Sequence, residues 1–339
     1  MPIPFFKTED NLLNIVILLP CHNEAIALPK VISSFKTVLP NAKIIVFDNA
    51  STDNTAAVAQ QHNIPVIYVP QKGKGHVIRR MLADIDADIY VLVDADATYD
   101  AYSAPLMINT LIEKNLDMVI GKRTTISAQE NSAYRRGHKF GNKLFNFLVK
   151  KIFGDVFDDI FSGYRVFTRR FAKSFPALTH GFDIETEISI HCLNLHIPTL
   201  EIETPYRDRP DGSFSKLNSY RDGFKILYRI VSMLKDYKPL AFFGSISAML
   251  TGMAFVLGIP LIATFIKTGN VPRIPTAIII GALLVVAFSS TICGVILNSV
   301  AKQRREAKLM AYLNHASIQT TILEKHRSLT ATERSTQPA

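Results

Sequence analysis

Asp94 and Asp96 bracket a single alanine at the end of Ile89-Tyr90-Val91-Leu92-Val93, a run that reads as a buried β-strand. Two carboxylates so close repel unless a cation sits between them, and hard oxygen ligands suit Mg²⁺ or Mn²⁺ together with the phosphates of a substrate. Helix capping does not account for such a pair. Polar clusters also close two earlier strand-like runs. Pro20, His22, Asn23 and Glu24 follow the first, and Asp48, Asn49, Ser51, Thr52 and Asp53 follow the second. Taken singly, the second cluster is equally well explained as a helix start, with Ser51 or Thr52 beside Asp53. Gly73-Lys74-Gly75, with Lys72, adds a flexible, cationic helix start that suits phosphate, and it lies between two acidic clusters.

The elements that must position these residues alternate. Strand-like runs at 14–20, 42–47, 65–69 and 89–93 are separated by helical spacing over 26–39, 52–62 and 75–85. Continuous β-branched runs alternating with helices predict a mostly parallel sheet covered on both faces, Rossmann-like, with ligands at the carboxyl ends of the strands.

Beyond residue 238 the character changes. From Pro239 to Val300 the only charged residues are Lys267 and Arg273, and 240–266 and 276–300 each exceed the ~20 apolar residues needed to span a bilayer. A helical hairpin through a membrane is expected. Lys235 and Lys238 precede it and Lys302, Arg304, Arg305 and Lys308 follow it. By that bias the α/β domain and both termini are expected in the cytoplasm. The first ten residues carry no basic segment followed by an apolar run, so no cleaved signal is expected, and three cysteines without pairable spacing read as free thiols.

A net charge of +9 invites a nucleic-acid reading, but its placement argues against one. Residues 1–121 are net acidic, and the surplus falls on two amphipathic stretches and on the segment after the apolar region. Tyr134 to Phe153 sets Phe140, Leu144, Phe147 and Leu148 on one helical face among Arg135, Arg136, Lys139, Lys143, Lys150 and Lys151. Ser219 to Lys238 repeats the pattern. Both are expected to lie at an anionic membrane surface.

In order along the chain, Pro20-x-x-Asn23-Glu24, Asp48-Asn49-x-Ser51-x-Asp53-x-Thr55, Gly73-Lys74-Gly75, Asp94-Ala95-Asp96, Ser162-Gly163-Tyr164-Arg165 and the stretch Tyr206 to Lys216 resemble the family 2 glycosyltransferases, which have the GT-A fold. The resemblance covers roughly residues 14–238. It implies a nucleotide-sugar donor held by Pro20, Asn23, Glu24, Asp48, Asp53, Lys74, Asp94, Arg207 and Arg209, with Asp48 at the base. It also implies a divalent cation, Mg²⁺ or Mn²⁺, on Asp94 and Asp96. Asn49 stands where the family often has a second aspartate.

The wider architecture resembles the dolichol-phosphate mannosyltransferase-like, polyprenyl-phosphate glycosyltransferases. That likeness implies a lipid-phosphate acceptor, undecaprenyl or dolichyl phosphate, neutralised by Arg123 and Arg135. Lys139 stands where related enzymes place a serine. Arg136, Lys139, Asp159, Ser162, Arg165, Glu185, Glu187, Ser215 and Lys216 are further candidates for sugar or acceptor contacts. For Glu185 and Glu187, flanking a helix and pairing with basic groups is an equal alternative. Arg207, Arg209, Ser215 and Lys216 share a Gly212-containing stretch that could close over a diphosphate.

The expected organisation is a cytoplasmic GT-A catalytic domain over 1–216 with an interfacial helix at about 134–153, a juxtamembrane amphipathic helix over 217–238, two transmembrane helices within 239–300, and a basic, partly disordered tail over 301–339. The expected activity is an inverting, metal-dependent hexosyl transfer from a nucleotide sugar to a polyprenyl phosphate at the bacterial inner membrane, in cell-envelope glycan synthesis. The alternatives are a lipid-linked or polymeric hydroxyl acceptor, or a catalytically silent nucleotide-sugar-binding scaffold. Whether the chain forms a homo-oligomer is left open, and no nucleic-acid partner is expected.

Overall fold

The computed structural model describes residues 12–125, 157–179, 184–207, 231–232, 234–271 and 273–335. The chain divides into two compact units. The first comprises Met1–Arg135, Asp155–Leu217 and Lys308–Ala339, the second Arg136–Gly154 and Asn218–Ala307.

The first unit is built on a seven-stranded sheet. Its strands are β1 (Ile15–Cys21), β2 (Lys43–Asp48), β3 (Val66–Tyr68), β4 (Ile89–Leu92), β5 (Met118–Thr125), β6 (Arg165–Thr168) and β7 (Thr199–Tyr206), in the order β3-β2-β1-β4-β6-β5-β7. Strands β1 to β4 pair in parallel, as do β5 and β7, while β6 runs antiparallel to both its neighbours. The mostly parallel sheet is therefore as expected, with one reversed strand.

Side-chain alternation divides the core into two layers. Ile15, Ile17 and Leu19 of β1 face one, which contains Leu28, Val31, Ile32 and Phe35 of α1 (Leu28–Val38) and Met107, Ile108 and Leu111 of α4 (Ala104–Glu113). Val16 and Leu18 face the other. There Val77, Ile78 and Met81 of α3 (Lys74–Asp84) meet Phe171 of α5 (Arg169–Ser174) and Ile188 of α6 (Ile184–Leu195). The short α2 (Thr55–Gln61) follows β2. Spacings of i, i+3, i+4 and i+7 along α1 give each buried side chain a place on one stripe.

The second unit contains α7 (Pro239–Thr268) and most of α8 (Ile274–Leu313), joined by a turn at Gly269, whose φ of 70° is left-handed. The helices are antiparallel neighbours. Thr291 Oγ1 donates to Ser247 Oγ (2.9 Å), and a Cβ at Gly294 would lie 3.1 Å from Phe243 Cβ. Both helices are long and apolar enough to cross a membrane, and almost none of their apolar side chains is buried within the protein. Phe255, Val256, Ile266, Ile278, Val285 and Phe288 are all exposed. A soluble core helix would bury such residues. Of the juxtamembrane helix expected over 217–238, residues 231, 232 and 234–237 are helical, Lys238 breaks it before α7, and 217–230 and 233 lie outside the described residues. The interfacial helix expected over 134–153 lies wholly outside them.

The C-terminal expectation needs correction. Helix α8 runs unbroken through the basic residues 302–308 to Leu313, and α9 (Ile318–Ser335) occupies most of the supposed loose tail. Its ordering has a physical cause: Ile318 and Ile322, one turn apart, join the α1/α4 core layer, and Tyr312 joins the other layer. Polar ties reinforce this. Tyr312 Oη donates to the buried Asp117 (2.5 Å), which also binds Arg170 (2.6 Å), and the Arg170 guanidinium lies 4.3 Å over the Tyr312 ring. Gln319 Nε2 donates to Ile112 O (2.7 Å), and Lys325 pairs with Asp88.

Candidate active site

The loops after β1, β2 and β4 each turn through a non-glycine residue in the left-handed region: Asn23 (φ 57°), Ala50 (φ 52°) and Ala97 (φ 59°). Each such residue costs roughly 1 kcal/mol, and strain of this kind concentrates at functional sites. All three lie at the carboxyl edge of the sheet, among the residues singled out from the sequence.

The first two loops are laced together. Asn23 Oδ1 accepts from Thr52 N (2.7 Å), Asn23 N donates to Ser51 Oγ (3.0 Å), and Glu24 N donates to Thr55 Oγ1 (2.9 Å). Asp53 accepts from Ala25 N (3.1 Å), Thr55 N (3.0 Å) and Thr55 Oγ1 (2.5 Å). Its partial burial opposes ionisation, yet the bonds from Thr55 and Ala25 outweigh that and hold its pKa below the usual carboxylate range. Asn23 and Asp53 thus brace the loops. Asp48, at the end of β2, is buried and accepts Ser51 N (3.2 Å), and Pro20 lies within β1.

Asn49 ties this region to the third. Its Nδ2 donates to Val69 O (3.2 Å) and Gln71 O (2.6 Å), while its Oδ1 accepts Gly73 N (2.7 Å). An ionised aspartate could not make the two donations. Gly73 has φ 129°, which only glycine adopts without strain, and the turn delivers Lys74 to the first position of α3.

Lys74 Nζ lies 2.5 Å from Asp94 Oδ1 and also pairs with Glu185 at the start of α6. Burial works against the ammonium, but Asp94 and then Glu185 outweigh it and push its pKa upward. Asp96, 4% exposed, accepts from Thr98 N (3.2 Å) and Thr98 Oγ1 (2.6 Å). Behind Asp94 stands Gly163, where a Cβ would fall 2.9 Å from Asp94 Cγ. Gly163 N donates to Tyr99 Oη (2.9 Å), whose pKa is raised by burial and then by Asp94. Gly163→Ala is therefore expected to displace the carboxylate. Transfer should fall at least tenfold with a small change in melting temperature, and unchanged kinetics would refute the close approach.

The carboxylate pair fits a hard divalent cation. The Asp94 side chain keeps 30% of its surface open, and glycine at 163 leaves its carboxylate room. Among the described residues no three His, Cys, Asp or Glu side chains converge. Two carboxylates with the remaining positions left to diphosphate and water is the way such sites hold Mg²⁺.

Several other candidates have different roles from those expected. Arg165 is fully buried and donates to Ser162 O (2.9 Å), Ile160 O (2.8 Å), Glu185 O (3.2 Å) and Ser189 Oγ (2.9 Å). It fixes the 160–163 loop and the start of α6 and cannot reach a sugar. Ser162, also fully buried, donates to Gly121 O (2.6 Å). Glu187 accepts from Leu178 N (3.0 Å) and from Thr179 N (2.9 Å) and Oγ1 (2.8 Å), holding the segment before α6. Arg123 is engaged by Asp159 through two 2.7 Å contacts and lies 5.5 Å over the Tyr206 ring. Arg123, which the resemblance placed with Arg135 at the acceptor phosphate, is thus half of an ion pair with Asp159 in this structure. Arg207 N donates to Thr98 O (2.9 Å) and its guanidinium approaches Asp100 (3.6 Å), which brings it beside the Asp96 loop. Arg135, Arg136, Lys139, Arg209, Ser215 and Lys216 lie outside the described residues.

Arg165→Met would strip Ser162 O of its Arg165 donor, leave Ile160 O and Glu185 O with Ser189 Oγ alone from this cluster, and loosen the 160–163 loop. A destabilisation of about 3 kcal/mol is expected, read as a lowered melting temperature.

An α/β sheet that gathers Asp94, Asp96, a helix-start lysine and two laced loops at one edge matches the GT-A glycosyltransferase arrangement that the sequence resemblance implies. Known proteins agree. The sequence profile described as Glycosyl transferase family 2 matches residues 16–175. Glycosyltransferase AglJ from Haloferax volcanii is 35% identical over 246 residues, covering 72% of this chain and 80% of that protein. Protein RfbJ from Shigella flexneri is 56% identical over 129 residues, 37% of this chain and 96% of its own. In fold, the chain is similar to glucosyl-3-phosphoglycerate synthase from Mycobacterium tuberculosis, solved with Mn²⁺, UDP-glucose and phosphoglyceric acid (TM-score 0.52, 21% identity, 65% of this chain and 79% of that one). The chain belongs to glycosyl transferase family 2.

Proposed function

We propose that the protein is a membrane-anchored glycosyltransferase that moves a sugar, with inversion, from a nucleotide sugar to a polyprenyl phosphate. The observation that carries this reading is the unburied apolar hairpin of α7 and α8 in a chain whose α/β unit holds Asp94 against Lys74, with Asp96 on the same loop after β4. An enzyme acting on a soluble acceptor has no need of such a hairpin. A lipid phosphate, by contrast, stays at headgroup level. Lys235, Lys238 and the basic residues 302–308 flank the hairpin on the side assigned to the cytoplasm, and the bacterial inner membrane suits that arrangement.

Asp94 and Asp96 would hold the divalent cation, and Asp48 would meet the nucleoside. Lys74 places a positive charge at the start of α3, where the helix dipole also favours anions. The bound cation would neutralise charge developing on the departing diphosphate. An oxygen of the lipid phosphate attacks the anomeric carbon as the bond to the nucleoside diphosphate breaks. That oxygen is already anionic near neutral pH, so no side chain need remove a proton. The Mn²⁺ and UDP-glucose held by the mycobacterial neighbour support the donor and cation assignments.

The test incubates purified protein with Mn²⁺ or Mg²⁺, undecaprenyl phosphate and a panel of nucleotide sugars. A lipid-phosphate sugar is the expected product. Transfer only to a lipid-linked or polymeric hydroxyl would replace this acceptor, and no transfer from any donor would leave a binding scaffold.

A further inference from the structure

Lys74 occupies the Asp94 oxygen that faces it, Oδ1, while its ammonium is shared with Glu185. Lys74 and Glu185 are 10% and 8% exposed, so little water screens their contact, while Asp94, at 30%, stays open on its other side. The backbone on both sides of the contact is fixed, so only the lysine side chain need move. The Asn49 amide fixes the turn before it at Gly73, and Arg165 holds the backbone of Glu185.

We propose that Lys74 is a built-in counter-ion for Asp94, competing with the divalent cation for that carboxylate until a diphosphate draws the ammonium away. The proposal rests on the cation assignment above. A cation arriving alone must displace Lys74 from Asp94 and then sit beside its positive charge. A diphosphate reverses both penalties, because it offers the ammonium new oxygens and brings negative charge of its own. Cation and diphosphate are thereby linked, and such coupling is typically 5- to 150-fold and reciprocal. Glu185 acts through Lys74 as a positioning residue. It takes part of the ammonium's charge, keeps the ammonium within reach of both states and weakens its hold on Asp94.

The full-length protein in detergent is titrated with Mn²⁺ alone, free Mn²⁺ being read by electron paramagnetic resonance, and separately with premixed manganese pyrophosphate by calorimetry. Lys74→Met is expected to bind Mn²⁺ alone at least fivefold more tightly than the unaltered protein, yet manganese pyrophosphate at least fivefold more weakly. Opposite signs in one variant exclude a general loss of structure. Glu185→Gln, which leaves the lysine wholly to Asp94, should weaken Mn²⁺ binding severalfold, and Lys74→Gln, which keeps a donor for both carboxylates without the charge, decides the matter if Lys74→Met does not fold. Lys72→Met removes the same charge two residues away, on an exposed side chain, and should change Mn²⁺ affinity less than twofold. Equal gains from Lys72→Met and Lys74→Met, or no gain from Lys74→Met, overturn the competition while leaving the cation site standing. If the Lys74→Met gain survives addition of Asp96→Asn, the cation lies elsewhere and the assignment beneath the proposal falls as well.

Discussion

Replacing Asp96 by asparagine is expected to lower sugar transfer by about a thousandfold while the protein remains folded. The substitution is nearly isosteric. Asparagine Oδ1 can still accept from Thr98 N and Thr98 Oγ1, the two bonds that position the native carboxylate, so the loop after β4 keeps its anchorage. What disappears is one negative charge on a side chain that is 4% exposed, where poor screening makes the charge worth most. Removing one group that stabilises charge developing in a transition state costs 10²–10³ in rate, ~2.7–4 kcal/mol. A metal ligand belongs at the upper end of that range. The measurement is initial rate of lipid glycosylation beside a thermal melt. Activity above a tenth of the unaltered protein's, with the melt unchanged, would remove Asp96 from the catalytic apparatus.

That prediction was readable from sequence because the chemistry is local. Asp94, Ala95 and Asp96 are neighbours, and the strand before them is a run of apolar residues buried on both faces, as are those of β1 and β2. The later strands are less regular. β6 has only four residues and begins with the charged Arg165, which is tolerated there because four acceptors surround its guanidinium. β7 lies at the edge of the sheet and is mostly half-buried, so its apolar signal is diluted.

The same limit applies to the site. Lys74 and Glu185 are 111 residues apart, and Gly163 reaches Asp94 only because β6 lies against β4. No spacing rule reports such pairs. Asn49 was visible as a departure from the family's aspartate, but its use as a latch for the Gly73 turn depends on three backbone partners that only the fold supplies.

Ending the chain after Ala307 should unfold the catalytic unit or leave it close to unfolding, although every candidate catalytic residue would be retained. The segment from Lys308 looks dispensable in sequence because α9 has Ile318 and Ile322 as its buried anchors in a mostly polar helix. Those two side chains are 3% and 5% exposed, and Tyr312 is 8% exposed. Burial of side chains this size contributes ~1.5–3 kcal/mol each. Together they approach the ~5–15 kcal/mol that usually separates folded from unfolded domains. The polar cost adds to this, since Asp117, 1% exposed, would keep Arg170 and Thr168 but lose the Tyr312 hydroxyl. Limited proteolysis of membranes carrying the shortened protein should degrade 12–207 at protease concentrations that leave the full chain intact. Restoring 308–335 should recover protection, whereas restoring it with Ile318→Asp and Ile322→Asp should not. Equal resistance of the shortened and full chains would mean that the segment merely rests on the catalytic unit. Protection lost in both altered chains, with the membrane hairpin unaffected, would make the segment after the second apolar helix a structural part of the domain that precedes the first.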